Sequence, residues 1–136
     1  MGDCIFCKIA NGQIPSNTVY EDDMFRVILD ISPANKGHML VLPKEHADNL
    51  FEISEDTFGK GFILAKKMAE ALKKAVECEG VNILQNNGLE AGQTVNHLHI
   101  HVIPRIKGDK VVIKSESVSV SEDEFKTICD NIKNNL

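Results

Sequence analysis

Three of the five histidines in this chain stand at alternate positions: His97, His99 and His101. In an extended segment that spacing puts the three imidazoles on one face and Leu98, Ile100 and Val102 on the other. A rare residue stacked three deep on one face is seldom an accident of surface composition. A His-x-His pair on a strand can chelate one ion. Positions 97 and 101, however, lie about 13–14 Å apart along an extended strand, too far for all three rings to share one metal. One or two of them can bind metal. The set as a whole reads as acid, base or nucleophile chemistry near neutral pH, where an unperturbed pKa of ~6.5 makes imidazole useful.

A second constellation is Cys4-x-x-Cys7. Alone it is half a zinc site, a redox pair or a coincidence, and no strand–motif–helix context supports a thioredoxin-like reading. Tetrahedral structural zinc needs two further ligands, and His46 and His97 are the available candidates. If the 38–42 and 97–103 segments pair antiparallel, His46 falls near the His97 end and His38 near the His101 end. One arrangement then serves metal at one end and acid, base or nucleophile chemistry at the other. Cys78 and Cys129 read as thiols on helices, outside this cluster. The glycine-rich stretch Asn87-Gly88-Leu89-Glu90-Ala91-Gly92 lets backbone approach a phosphate or simply connects strands. It lacks the Lys-Ser/Thr of a P-loop.

These side chains need elements to position them. Two apolar, β-rich runs, Met24 to Ile31 and His38 to Leu42, flank the turn Ser32-Pro33-Ala34-Asn35-Lys36-Gly37. Pro43 is expected to end the second strand or set it at an edge. Residues 54–77 have helical periodicity, with Ser54 as cap, Glu55 and Asp56 in the first turn, and Phe58, Phe62, Ala65, Met68, Ala69, Leu72, Ala75 and Val76 recurring at helical spacing. Gly59 and Gly61 weaken its first half by about 1 kcal/mol each, and Gly80 is the expected stop. Val81 to Gln85 reads as a strand, Asn86 to Gln93 as a loop, and His97 to Ile103 as a strand ended by Pro104. The first twenty residues carry turn formers and read as irregular or short elements. Val111-Val112-Ile113 suggests a short strand, and Ser121-x-x-Glu124 a capping box opening a final helix with Phe125, Ile128 and Ile132 on one face. The expectation is an α+β chain with a mainly antiparallel sheet. Residues 1–110 would form its core and residues 111–136 a strand/helix extension of the same domain.

Composition narrows the function classes. The chain has 136 residues, 15 basic and 20 acidic side chains and a net charge of −5, with one Tyr and no Trp. That length suits one domain. An acidic chain without a basic cluster is a poor nucleic-acid binder. No apolar run approaches the ~20 residues needed to span a bilayer. The N-terminus lacks the basic n-region and long apolar core of a secretory signal, so a cytoplasmic address is expected.

The segment His97-Leu98-His99-Ile100-His101-Val102-Ile103 resembles the signature of the histidine-triad (HIT) nucleotidyl hydrolases and transferases. Two further blocks share the resemblance: Phe25 to Ser32, and His38-Met39-Leu40-Val41-Leu42-Pro43-Lys44. Asn86 and Ala91-Gly92-Gln93-Thr94 complete it, so that it covers residues 4 to about 107. It implies an about five-stranded sheet with one long helix, to which this chain adds a C-terminal helix. It also implies cleavage at the α-phosphorus of a nucleotide, with His99 as nucleophile and a nucleotidyl-imidazole intermediate that water hydrolyses. His101 would donate to the phosphate or leaving group, and His38 would support the protonation of the triad. Gln93 and Thr94 match a polar pair on the phosphate and leaving group, and Asn86 a nucleotide contact. Asp30 matches the carboxylate that accepts the ribose hydroxyls, and alternatively caps the following turn. Phe6, Ile9 and Ile31 match the walls of a base pocket, or are core. Some bacterial members bind one structural zinc per chain through two N-terminal cysteines, a post-strand histidine and the first triad histidine, here Cys4, Cys7, His46 and His97. No organic cofactor is implied. The resemblance further implies a purine nucleotide substrate and a homodimer formed through the long helix and adjoining strand. A dinucleoside polyphosphate hydrolase and a nucleotide-binding scaffold are the rival readings.

Overall fold

A computed structural model describes residues 2–136. The elements in chain order are α1 (Ile5–Ala10), β1 (Thr18–Glu21), β2 (Phe25–Leu29), β3 (Met39–Pro43), α2 (Glu55–Val76), β4 (Gly80–Leu84), a single 3-10 turn at Leu89–Ala91, β5 (Ile100–Arg105) and α3 (Glu122–Asn134). The five strands form one sheet in the order β1-β2-β3-β5-β4, every neighbouring pair antiparallel. The expected α+β class and antiparallel sheet are therefore present.

Alternation along the central strands gives the sheet two working faces. Val27, Met39, Val41, Ile100 and Val102 point to α2 and bury against its Leu64, Ala65 and Leu72. Ile28, Leu40 and Leu42 point the other way, where Ala10 is buried and Phe6 and Ile9 of α1 pack over them. Leu40 lies directly opposite His101, so the histidine face is the α1 face. Gly61 brings α2 close to the sheet: a Cβ there would meet Ile100 Cδ1 and Phe25 Cε1 at 3.3 Å. The cost in helix propensity at Gly61 thus accompanies a closer packing distance, while Gly59 faces open space.

Four expectations need correction. The helix stop is Glu77, in the left-handed region at φ 51, and Gly80 already begins β4. Pro104 does not end the triad strand, which runs on to Arg105. Pairing with β3 has ceased after Met39↔Val102, and the Pro104 carbonyl accepts from Asn35 Nδ2 at 2.9 Å, so the missing N–H faces no ladder partner. The triad strand starts only at Ile100, with His97 in a bend. No strand forms at 111–113. Arg105 instead clasps this stretch, its guanidinium donating to Asp109 and to the Val111 carbonyl. α3 forms, capped by Ser121, whose Oγ accepts from the Glu124 N–H. All of its residues are exposed.

Candidate active site and metal centre

Because β3 and β5 run antiparallel, His38 just before β3 meets the His101 end of the triad, and His46 just after it meets the His97 end. The two ends share a residue type but differ in how their protons are arranged.

At the first end, His99 Nδ1 lies 2.7 Å from the His97 carbonyl. A carbonyl only accepts, so Nδ1 carries the proton and Nε2 keeps a free lone pair. The Phe6 ring stands edge-on to His99, centroids 5.0 Å apart, and holds the imidazole upright. The Ala34 backbone N–H donates to His38 Nδ1 at 3.0 Å, which puts the His38 proton on Nε2. That Nε2–H donates to His101 Nδ1 at 2.9 Å, which in turn leaves the His101 proton on Nε2. One backbone amide therefore sets a chain that ends in a donor beside His99. Burial pushes His38, His97 and His99 below the ordinary imidazole range. His101 is pushed down to about 4 by burial and by the neighbouring His99 and His38. All four rings are neutral at pH 7, as these proton positions require. Asp30 serves two groups: Oδ1 accepts from the Ser32 N–H at 2.8 Å, and Oδ2 sits 3.7 Å from His38 Nε2.

His99 and His101 open into a cavity of about 430 Å³ that Phe6, Ile9, Asp30, Ile31 and Thr94 also line. Ile31 is 89% exposed and stands at the rim. Asn86 and Gln93 lie outside this lining. The Gln93 amide is engaged by the loop itself, Oε1 accepting from the Gly88 N–H and Nε2 donating to the Asp48 and Val95 carbonyls. In this structure Gln93 holds the loop in place and presents nothing to the cavity. Sequence reasoning missed Ile14, Ser16 and Val95 among the cavity walls. It also missed the three backbone groups, on Ala34, Pro43 and His97, that orient the imidazoles. A backbone amide or carbonyl has no sequence signature, so residue types gave no signal for them.

At the other end, Cys4 Sγ, Cys7 Sγ, His46 Nδ1 and His97 Nδ1 converge, every pair within 4.8 Å. His97 Nε2–H donates to the Pro43 carbonyl at 2.8 Å, and His46 Nε2–H to Asp48 at 3.2 Å. Both Nδ1 atoms are consequently bare, yet they face each other at 3.2 Å. Two lone pairs at that distance make no hydrogen bond, and a cation between them resolves the contact. The sulfurs lie 3.1–3.4 Å from the same nitrogens. A zinc tetrahedron with ordinary Zn–S and Zn–N bonds has edges of about 3.3–3.8 Å, so the donor set fits that ion. Burial, reinforced by Cys4, pushes the Cys7 thiol up to about 11, and a thiolate here needs a cation beside it. Asp48 behind His46 and the Pro43 carbonyl behind His97 are the kind of partners that orient metal-ligating imidazoles. Neither was singled out from sequence.

A sheet of this topology, with alternate histidines facing a cavity under a short helix, defines a class that comparison with known proteins identifies. The HIT domain model matches residues 11–108, and the chain belongs to that family. It is 49% identical over 122 residues to an uncharacterised HIT-like protein of Methanocaldococcus jannaschii, covering 89% of this chain and 94% of that one. It is 38% identical to an adenosine 5'-monophosphoramidase of Schizosaccharomyces pombe, covering 98% of both chains. An adenylylsulfatase of Arabidopsis thaliana is 41% identical over 79% of this chain and 54% of its own length. Among solved structures, a Streptococcus mutans protein superposes with a TM-score of 0.94 at 41% identity, covering 99% of this chain and 86% of its own. A zinc-bound histidine-triad protein of Mycobacterium smegmatis superposes at 0.78 and 32% identity, covering 99% of each. The chain is a hydrolase of the HIT family.

Proposed function

We propose that this hydrolase cleaves at the α-phosphate of a purine nucleotide, a nucleoside phosphoramidate or an adenylyl conjugate, and releases the nucleoside monophosphate. His99 Nε2 attacks phosphorus, the bond to the leaving group breaks, and a nucleotidyl-imidazole forms. Water then displaces the imidazole, so one hard displacement becomes two easier ones. The observation that carries this reading is the proton arrangement. The lone pair of His99 opens to the cavity, and the His101 Nε2–H beside it is available to a phosphoryl oxygen or to the leaving group. His38 fixes which nitrogen of His101 carries that proton. Of the residues lining the cavity, Asp30 and Thr94 would meet ribose and phosphate, and Phe6, Ile9 and Ile31 would offer apolar surface to a base. Asn86 and Gln93 would contact nucleotide only after the 85–93 loop rearranges.

Cys4, Cys7, His46 and His97 would hold one structural zinc per chain. Its contribution is to tie the α1 segment to the sheet and to hold the His97 backbone whose carbonyl orients His99. No step of the reaction passes through it. The family names of relatives favour a phosphoramidate or adenylyl substrate over a dinucleoside polyphosphate. We further propose that the protein works in the cytoplasm as a homodimer built on α2 and the adjoining strand. No helix among the described residues is long and apolar enough to cross a membrane.

Trapping tests the chemistry. Incubation with a labelled adenosine phosphoramidate, followed by a rapid quench and peptide mapping, is expected to place the adenylyl group on His99. An adduct on another residue overturns the mechanism. Parallel turnover of diadenosine polyphosphate measures the rival substrate class.

A further inference from the structure

Two apolar surfaces of this chain are left open at once, and they are complementary. The first belongs to α3. Phe125, Ile128 and Ile132 fall on one face and are 62%, 49% and 59% exposed. A helix of 13 residues is marginal in water without packing. The second is a groove of about 370 Å³ between the C-terminal half of α2 and the β1–β3 side of the sheet, walled by Val19, Leu29, Met39, Met68, Ala75 and Val76. Val76 and Lys36 continue it into a neighbouring cavity of about 520 Å³ beside Pro104 and Ile106. Neither cavity holds a group suited to the proposed chemistry; Cys78, in the second, is a lone thiol.

We propose that the groove receives α3 of a second copy of this chain, and that the exchange is reciprocal. Charge favours the match. α2 carries five lysines against three acidic side chains, whereas residues 115–136 carry five acidic side chains against two lysines. Reach allows it, since the ten residues 111–120 form no helix or strand and can span about 33 Å when extended. The position of α3 is not peculiar to this chain. The superposition on the Streptococcus mutans structure takes in 99% of the chain at a TM-score of 0.94, C-terminal helix included. Each copy brings one helix and one groove, so a two-fold pair covers both surfaces with nothing left over, as an isologous interface requires. A different protein would have to supply a match for the groove and for the helix separately. The proposal rests on the chain pairing proposed above and adds to it the element that crosses between subunits.

The absence of Trp from the chain supplies a clean probe. In a Phe125→Trp variant of the full-length protein, emission is expected at blue-shifted wavelengths, as for a buried indole. Combining it with Ala75→Glu, at an exposed groove position that leaves the subunit's own core untouched, is expected to return the emission to that of free tryptophan. Val19→Glu serves as a second block if Ala75→Glu misfolds by circular dichroism. The decisive arm mixes the Phe125→Trp/Ala75→Glu chain with a Trp-free Ile128→Glu/Ile132→Glu chain under subunit exchange. The blue shift is expected to reappear, because the probe helix then finds an open groove only on the other chain. A Phe125→Trp protein that emits as free tryptophan overturns the proposal. So does a blue shift that mixing fails to restore, which would place α3 in its own groove. Sedimentation of the same samples separates this outcome from failure of the pairing itself: a dimer with unshifted emission keeps the pair and removes the exchanged helix.

Discussion

The two ends of the histidine run use the same side chain and the same trick of anchoring, with opposite results. At the His97 end each ring gives its Nε2–H to an acceptor, the Pro43 carbonyl or Asp48, and the bare Nδ1 atoms converge with two sulfurs. At the His101 end a backbone N–H from Ala34 starts the chain, and protons pass outward until one faces the cavity. Convergent lone pairs suit a cation; a directed donor beside a free lone pair suits an anion under attack. The lesson is that the fixed partner behind each imidazole, more than the imidazole itself, decides its chemistry. The following experiments remove, replace or titrate one group at one end of the run or the other.

The largest effect belongs to the free lone pair. His99→Ala is expected to lower kcat for adenosine phosphoramidate by at least about 10³-fold with zinc content unchanged, because removing a nucleophile removes the two-step route. Loss of zinc in that variant would show that the two ends are not separable. The converse change at the metal end is Cys7→Ala. It is expected to abolish stoichiometric zinc by elemental analysis and to lower the melting temperature by roughly 10 °C or more, corresponding to a few kcal/mol. Retention of one zinc per chain would refute the assigned ligand set.

Next comes the relay. His38→Gln removes the ring that sets the His101 proton, and kcat is expected to fall by about 10²-fold while KM changes little. His38 touches His101 and the Ala34 backbone, so it acts as a positioning residue. A structural role alone would lower stability without selectively lowering kcat. At the opposite end Asp48→Asn keeps the shape but weakens the acceptor behind His46. Zinc affinity is expected to drop by roughly 10- to 100-fold in competition with a chelating dye, with turnover of the zinc-loaded protein intact.

How far these partners could be read from sequence follows from what they are made of. The alternation at 97–102 gives the histidine face, and antiparallel pairing of 38–42 with it brings His38 and His46 to opposite ends, as the structure has them. The α2 boundaries agree to within a residue or so because Ser54 caps and an apolar stripe repeats. Two element ends lie elsewhere than residue type alone suggests. Glu77 terminates α2 in a conformation that residue type disfavours, and Pro104 is tolerated inside β5 because β3 stops short of it. The Gln93 amide is claimed in the folded loop by the Gly88 and Asp48 backbone groups, partners that residue types do not announce. The carbonyls of Pro43 and His97 were invisible for the same reason: any residue carries one.

Titration gives the smallest effect and the finest test of the comparison. His101 is held down to about 4, whereas in the unfolded chain it titrates near 6.5. Below pH 6.5 the unfolded state therefore binds a proton that the folded state refuses, and stability falls with pH until the folded ring titrates as well. The contribution is full above pH 6.5 and is progressively lost between pH 6.5 and about 4. The protein is expected to lose about 1–2 kcal/mol more than a His101→Gln variant when urea unfolding is compared at pH 6.5 and pH 5. Both proteins keep the His97 end, so loss of metal at low pH subtracts out. Equal slopes for the two would mean that His101 is solvated and already free to protonate. In that case the donor beside His99 would become an imidazolium below about pH 6.5, and there the backbone amide of Ala34 would no longer decide where its proton sits.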